Sequence, residues 1–352
     1  MKYKADAYMV IDLQYGSTGK GLLAGYLAET MQPDVLAAAW MPNAGHTYID
    51  ANGRKWIHRM LPNGIVSPKL TTVLLGAGSA IDIEVLYAEV KASADLMAGK
   101  TIIIHPNAAV VLPKHVQHEQ QNYARIGSTM KGSGAAIINR IERNPEDNPT
   151  AAIQLPKSYF DAMTRLGVKL VVSKEAYDQA IINAERIQIE GAQGYSLSIY
   201  NGFYPYTTSR DVTPHQVLAD TNMPFGLYVE VYGTMRTFPI RVANRYNEAG
   251  EMIGTSGGCY PDQEEIEWES IGLQPELTTV TKLPRRIFTF SMEQAKEATW
   301  RCSPNYLFLN FCNYLSEEEA DELMLEIEEE TGVPIVYAGW GASKDDIVKR
   351  DY

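Results

Sequence analysis

Short runs rich in β-branched and large apolar residues recur along this chain, and the stretches between them carry apolar residues at helical spacing. The runs are AYMVIDL (7–13), LTTVLLG (70–76), TIIIHP (101–106), VKLVVS (168–173), RIQIE (186–190), GLYVEVYG (226–233), YLFLNF (306–311) and PIVYAG (334–339). Alternation of this kind predicts an α/β fold, with a mostly parallel central sheet flanked by helices on both faces. The segment 83–99 reads as one of the helices. The last helix is delimited by a capping box, Ser316 with Glu319, and by Gly332 as its C-terminal stop. No internal repeat, low-complexity tract or linker divides residues 1–352, so one catalytic-size domain is expected, with NPEDNP (144–149) as an exposed loop.

Composition removes several functions. A formal net charge of −12 excludes broad, sequence-independent binding to nucleic acid, which needs a basic footprint. Any phosphate must therefore be held locally. Three cysteines, Cys259, Cys302 and Cys312, are too few and too irregularly spaced for a disulfide framework or a zinc site, and the cytoplasm is the expected compartment. No run approaches the length of a membrane span, and the start lacks the apolar core of a signal peptide.

Five elements carry chemistry. The first, QYGSTGKG (14–21), follows a strand and leads into a helix. Its glycines let backbone N–H groups crowd an anion, the helix adds its positive end, and Lys20 supplies a point charge for phosphate oxygens. The strict G-x-x-x-x-G-K-[ST] pattern fails, because Gln14 replaces its first glycine and Gly21 its metal-binding hydroxyl residue. In MPNAGHTY (41–48), Gly45 stands where a backbone carbonyl approaches a metal and His46 where a ring nitrogen donates to a phosphoryl oxygen; a structural histidine is the competing reading. His105, His115 and His118 read as structural. The segment 126–143 clusters hydroxyls, glycines and Lys131, and reads either as a second phosphate cradle or as a surface loop leading into a helix. In EGAQG and the aromatic stretch after it (190–211), Gln193 and Thr208 reach toward a ligand at a strand's carboxyl end. In ELTTVTKLPRRIF (276–288), hydroxyls with Arg285 and Arg286 suit a carboxylate, against the simpler reading of a solvated turn.

Taken together and in this order, these elements resemble the adenylosuccinate synthetase family over nearly the whole chain. That resemblance implies a P-loop-related α/β fold, a homodimer, Mg2+, and a ligase that phosphorylates a purine 6-oxygen before the amine of L-aspartate displaces phosphate. It assigns Ser17, Thr18, Gly19, Lys20, Gly21, Asn313, Gly339 and Gly341 to the nucleotide donor. Asn43, Ser128, Thr129, Arg143, Gln193 and Thr208, again with Ser17, go to the acceptor nucleotide, and Arg143 would reach the acceptor bound by the neighbouring subunit. Thr279, Val280, Thr281 and Arg285 go to aspartate, Ser17 and Gly45 to the metal, and Ser17, Lys20, His46 and Gln193 to catalysis.

The departures from the family pattern bear on the substrate. Ser17 stands where the family carries a catalytic aspartate. Leu283 stands where an arginine reaches the ribose 2′-hydroxyl, and a leucine packs on a deoxyribose edge instead. The guanine-reading lysine and aspartate correspond to Phe311 and Asn313, and an amide suits adenine better than a carboxylate does. The chain is also shorter than typical bacterial members. These features resemble a bacteriophage branch of the family that acts on dGMP, with ATP or dATP as donor, to give N6-succino-2-amino-2′-deoxyadenylate for diaminopurine DNA. An ordinary family member acting on IMP and an inactive nucleotide-binding protein are the alternatives. Ser17 becomes a candidate substrate switch.

Overall fold

The computed structural model describes residues 5–123, 129–247, 249–278 and 283–351. Ten strands form one sheet: β1 (Asp6–Asp12), β2 (Val35–Ala38), β3 (Thr72–Leu75), β4 (Thr101–Ile104), β5 (Lys169–Val172), β6 (Arg186–Glu190), β7 (Val229–Arg236), β8 (Tyr306–Asn310), β9 (Ile335–Gly339) and β10 (Ile347–Lys349). Their spatial order is β10-β9-β8-β7-β1-β6-β2-β3-β4-β5. Every pairing is parallel except β9 with β10, where Tyr337 opposes Lys349.

Side chains of β1 alternate between two apolar layers, as the period of a strand requires. Ala7, Met9 and Ile11 pack with Ile187, Val231 and Leu307 on one face. Tyr8 and Val10 pack with Leu22, Leu23 and Leu27 of α1 (Lys20–Met31) on the other. A fully buried leucine contributes about 1.5–3 kcal/mol relative to an exposed one, so a strand covered on both faces holds its register firmly.

Each expected strand is present, with shifts that have local causes. Run 226–233 enters the sheet only at Val229, because Leu227 N–H closes a turn onto the Pro224 carbonyl. Run 306–311 ends at Asn310, since Phe311 adopts a left-handed φ of 61°. Helix 83–99 is interrupted: α2 (Ile83–Ala92) stops at Ser93, which caps it, and a short turn Ala94–Met97 follows. Strands β2 and β10 were not expected. The last helix, α3 (Glu317–Thr331), has its capping box, with Glu319 N–H donating to Ser316 Oγ at 3.2 Å and Ser316 N–H to Glu319 Oε2 at 2.9 Å. Residues 145–147 form an exposed 3-10 turn. Cys302 and Cys312 are buried, and all three cysteines are free thiols. Among the described residues no helix is long and apolar enough to cross a membrane.

Candidate active site

The carboxyl ends of β1, β6, β7 and β8 open at one edge of the sheet, where parallel α/β folds place their ligands. From β1 the chain turns through Gly16 (φ 93°), Ser17 (φ 60°) and Gly19 (φ 89°) into α1. Gly19 is required twice, by its positive φ and because a Cβ there would lie 2.0 Å from Asn310 Nδ2. Lys20 opens α1 and is buried. A Cβ at Gly21 would fall 2.7 Å from the Thr47 carbonyl, so no hydroxyl side chain fits where the strict phosphate-loop pattern has one.

That close approach seats the hairpin His46–Ile49/Lys55–His58 on the start of α1. His46 lies in it, buried and stacked on Trp40 with ring centroids 4.0 Å apart. Trp40 is locked by its indole N–H, which donates to the carbonyls of Glu190 and Gly191 at 3.0 and 3.1 Å. Lys20 Nζ lies 3.2 Å from His46 Nδ1. An ammonium only donates, so Nδ1 accepts and the neutral imidazole carries its proton on Nε2. Burial, then the Lys20 charge, then His58 hold the His46 pKa well below its usual value. His46 is therefore a hydrogen-bond donor at neutral pH rather than a cation. Burial lowers the pKa of Lys20 too, countered by the nearby carboxylates of Asp12 and Glu190.

A cavity of about 470 Å³ opens over this pair. Of the residues singled out in the sequence, Ser17, Gly19, Lys20, Gly21, Asn43, Gly45, His46, Thr129, Gln193 and Arg285 line it. Leu283, Leu277 and Val242 give it an apolar wall. Thr18 lies beneath, fully buried, with its hydroxyl donating to Asp12 Oδ2 at 2.5 Å. Asn313, Gly339, Gly341, Arg143 and Thr208 do not line the cavity. Asn313 is exposed in the turn Cys312–Tyr314, Gly339 closes β9 against Asn310, and Gly341 packs on Asp346. Arg143 caps the helix Ser133–Glu142 at the surface, and Thr208 N–H donates to the Leu197 carbonyl at 2.7 Å. Ser128, Thr279, Val280 and Thr281 lie outside the described residues.

Several residues of the site were missed. Arg236, at the end of β7, is fully buried, stacks on Phe311 at 3.8 Å, donates to the Ser17 carbonyl at 3.2 Å and pairs with Glu276 at 2.6 Å. Burial would raise the Glu276 pKa, but the Arg236 charge overrides it and holds the carboxylate ionised. Asn310 Nδ2 donates to the Thr18 carbonyl at 3.3 Å. Asp12 could have been noticed as a charge at the end of an otherwise apolar run; Arg236 and Glu276, far apart in the chain, left no local signal.

The family model described as Adenylosuccinate synthetase matches residues 9–148 and 146–319. An N6-succino-2-amino-2′-deoxyadenylate synthase of Salmonella phage PMBT28 is 52% identical over 360 residues, covering 99% of this chain and 98% of the relative. The solved succinoaminodeoxyadenylate synthetase of cyanophage S-2L, bound to dGMP and to dATP as an energy donor, superposes with a TM-score of 0.88 at 42% identity, covering 99% of this chain and 96% of that one. The fully ligated adenylosuccinate synthetase of Plasmodium falciparum shares the fold, with a TM-score of 0.77 at 18% identity over 99% of this chain and 100% of that one. With the phosphate loop, the lysine–histidine pair and the Gln193 loop around one cavity, the chain belongs to the adenylosuccinate synthetase family.

Proposed function

We propose that this ligase joins L-aspartate to C6 of dGMP, with ATP or dATP as phosphoryl donor, and forms N6-succino-2-amino-2′-deoxyadenylate. One observation carries the substrate assignment: Ser17 and an apolar wall of Val242, Leu277 and Leu283 share the cavity that holds Lys20 and His46. The phage relatives support it, being named for that product over nearly the whole length of this chain.

The 6-oxygen of guanine is a poor leaving group. In the first stage it attacks the terminal phosphorus of the donor as the N1 proton leaves, and the nucleoside diphosphate departs. In the second stage the aspartate amine adds at C6, loses a proton, and the C–O bond to phosphate breaks. Catalysis of both stages is mainly positioning and charge stabilisation. Lys20 draws the donor phosphates toward the start of α1, and His46 Nε2–H stabilises negative charge on the transferring group. Gln193 steadies the base, and Arg285 takes a carboxylate of aspartate. Leu283 packs against the deoxyribose and offers no partner to a 2′-hydroxyl.

The resemblance implies Mg2+. Among the described residues no three His, Cys, Asp or Glu side chains gather to hold a metal ion. A Mg2+ bound mainly through phosphates needs only one or two protein oxygens, and Ser17 and Gly45 lie in the same cavity, so the residues fit. The ion would neutralise charge on the donor's phosphate oxygens.

The test is a competition among acceptors. Purified protein with aspartate, Mg2+ and ATP or dATP is expected to release phosphate faster with dGMP than with IMP or GMP. Preference for IMP would assign it to the ordinary reaction of the family, and nucleotide binding with no phosphate release would make it an inactive binding protein. Ser17→Asp is expected to shift preference from dGMP toward IMP.

A further inference from the structure

Ser17 supplies no charge to the phosphate loop, yet a carboxylate does support that loop from below. Asp12 is buried at the end of β1. Its Oδ1 accepts from the backbone N–H groups of Gln14 at 3.0 Å and Gly16 at 3.1 Å. Its Oδ2 accepts from Thr18 N–H at 3.4 Å and from the Thr18 hydroxyl at 2.5 Å. The amides on either side of Ser17 are thus both tied to one side chain. A Cβ on Gly194 would lie 2.5 Å from Asp12 Oδ1 and 2.4 Å from the Gly16 nitrogen, so the Gln193 loop closes directly over the same carboxylate. Burial raises the Asp12 pKa, and the Lys20 charge with the hydrogen bonds from Thr18, Gln14 and Gly16 acts against that shift.

We propose that Asp12 is the positioning residue of the phosphate loop: it folds residues 14–18 around one carboxylate and sets the presentation of Ser17 and Lys20 to the cavity. A strand-end carboxylate that receives four donors is a fixed hub, because three of them are backbone amides of alternate loop residues and the fourth is the Thr18 hydroxyl. It also withdraws the Gly16 and Thr18 amides from any bound phosphate. The amides at the start of α1 lack helical acceptors and are the ones left to receive it. The second consequence is electrostatic. Since the Gly16 and Thr18 amides already serve Asp12, a carboxylate installed at position 17 would find neither free and would add a second negative charge to the same loop.

This inference rests on the donor-binding reading given above, and its test separates the two. Binding of ADP with Mg2+ and dGMP-dependent phosphate release are measured for wild type, D12N, T18V, S17D and the D12N/S17D double variant. In D12N an NH2 group faces donors, so ADP binding is expected to weaken at least tenfold with the KM for aspartate changed less than twofold. T18V keeps the carboxylate and loses one donor, so a loss of about threefold in ADP affinity is expected, which keeps the test alive should D12N fail to fold. S17D is expected to lose dGMP turnover, and D12N/S17D to exceed S17D alone. Unchanged ADP affinity in D12N, or additive losses in the double variant, would overturn the role of Asp12. Wild-type protein that binds no ADP would instead remove the donor site itself.

Discussion

At His46 the fold has chosen a tautomer before any substrate arrives. Lys20 occupies Nδ1, Trp40 holds the ring plane, and burial keeps the imidazole neutral. His46→Asn removes the Nε2 donor while keeping a polar side chain, and turnover is expected to fall by about 10²–10³, as for loss of one preorganised donor in a phosphoryl or acyl transfer site. Steady-state phosphate release with saturating dGMP and aspartate measures it. His58 is a second buried histidine whose pKa burial pushes down to about 4 from the ordinary 6.5. The unfolded chain therefore binds more protons than the folded one between those values, and His58 costs stability as pH falls below 6.5. Measured by urea unfolding, the advantage of wild type over His58→Gln is expected to shrink by ~2 kcal/mol between about pH 7 and about pH 5. At this scale Lys20, His46, Gln193 and Arg285, singled out in the sequence, meet in one cavity. The sequence left His46 evenly poised between structural and functional readings, because the Lys20 contact joins residues from separate elements. Arg236 and Glu276 escaped for the same reason, whereas Asp12, whose partners lie in residues 14–18, was legible as a charge closing an apolar run.

Among the elements, the hairpin and α1 determine how closely Lys20 and His46 approach. Their contact depends on Gly25, where a Cβ would fall 2.3 Å from the ring of Tyr48. Tyr48 is buried and its hydroxyl donates to Glu29 Oε1 at 2.5 Å, so the ring cannot swing clear. Gly25→Ala is expected to destabilise the protein by ~1–3 kcal/mol, against the small gain alanine brings to an exposed helix position, and urea unfolding at neutral pH checks the sign. Strand existence was readable from apolar runs such as TIIIHP and RIQIE. β2 was not, because its VLAA carries two alanines of poor strand propensity and becomes a strand only by lying between β6 and β3. β10 is three residues long and pairs antiparallel at the edge, with too little pattern to stand out. At the break, the Ser93 hydroxyl lies 3.3 Å from Nε2 of His58, a residue 35 positions away.

On the scale of the whole molecule, the cavity leaves out Arg143, which the family resemblance assigns to a neighbouring subunit's acceptor. In the described structure Arg143 is exposed at the end of a helix that also exposes Ile138 and Ile141. We propose a homodimer with shared sites. Arg143→Leu is then expected to raise the KM for dGMP at least tenfold, about the contribution of one charge-assisted phosphate contact. Specific activity of the wild type is expected to fall on dilution, and titration of activity against protein concentration beside sedimentation velocity measures both.

Apolar runs at alternating periods impose a parallel sheet because each backbone must pair while both faces stay dry. The glycine-and-lysine loop announces phosphate because few residue types let amides crowd an anion. Only the folded molecule determined how Ser17 is held, since its neighbours' amides close on Asp12 while its own carbonyl is held by Arg236 from β7. The Asp12 contacts join residues at most six apart, but the Arg236 contact is set by the packing of strands far apart in sequence, and no period or spacing along the chain encodes that distance.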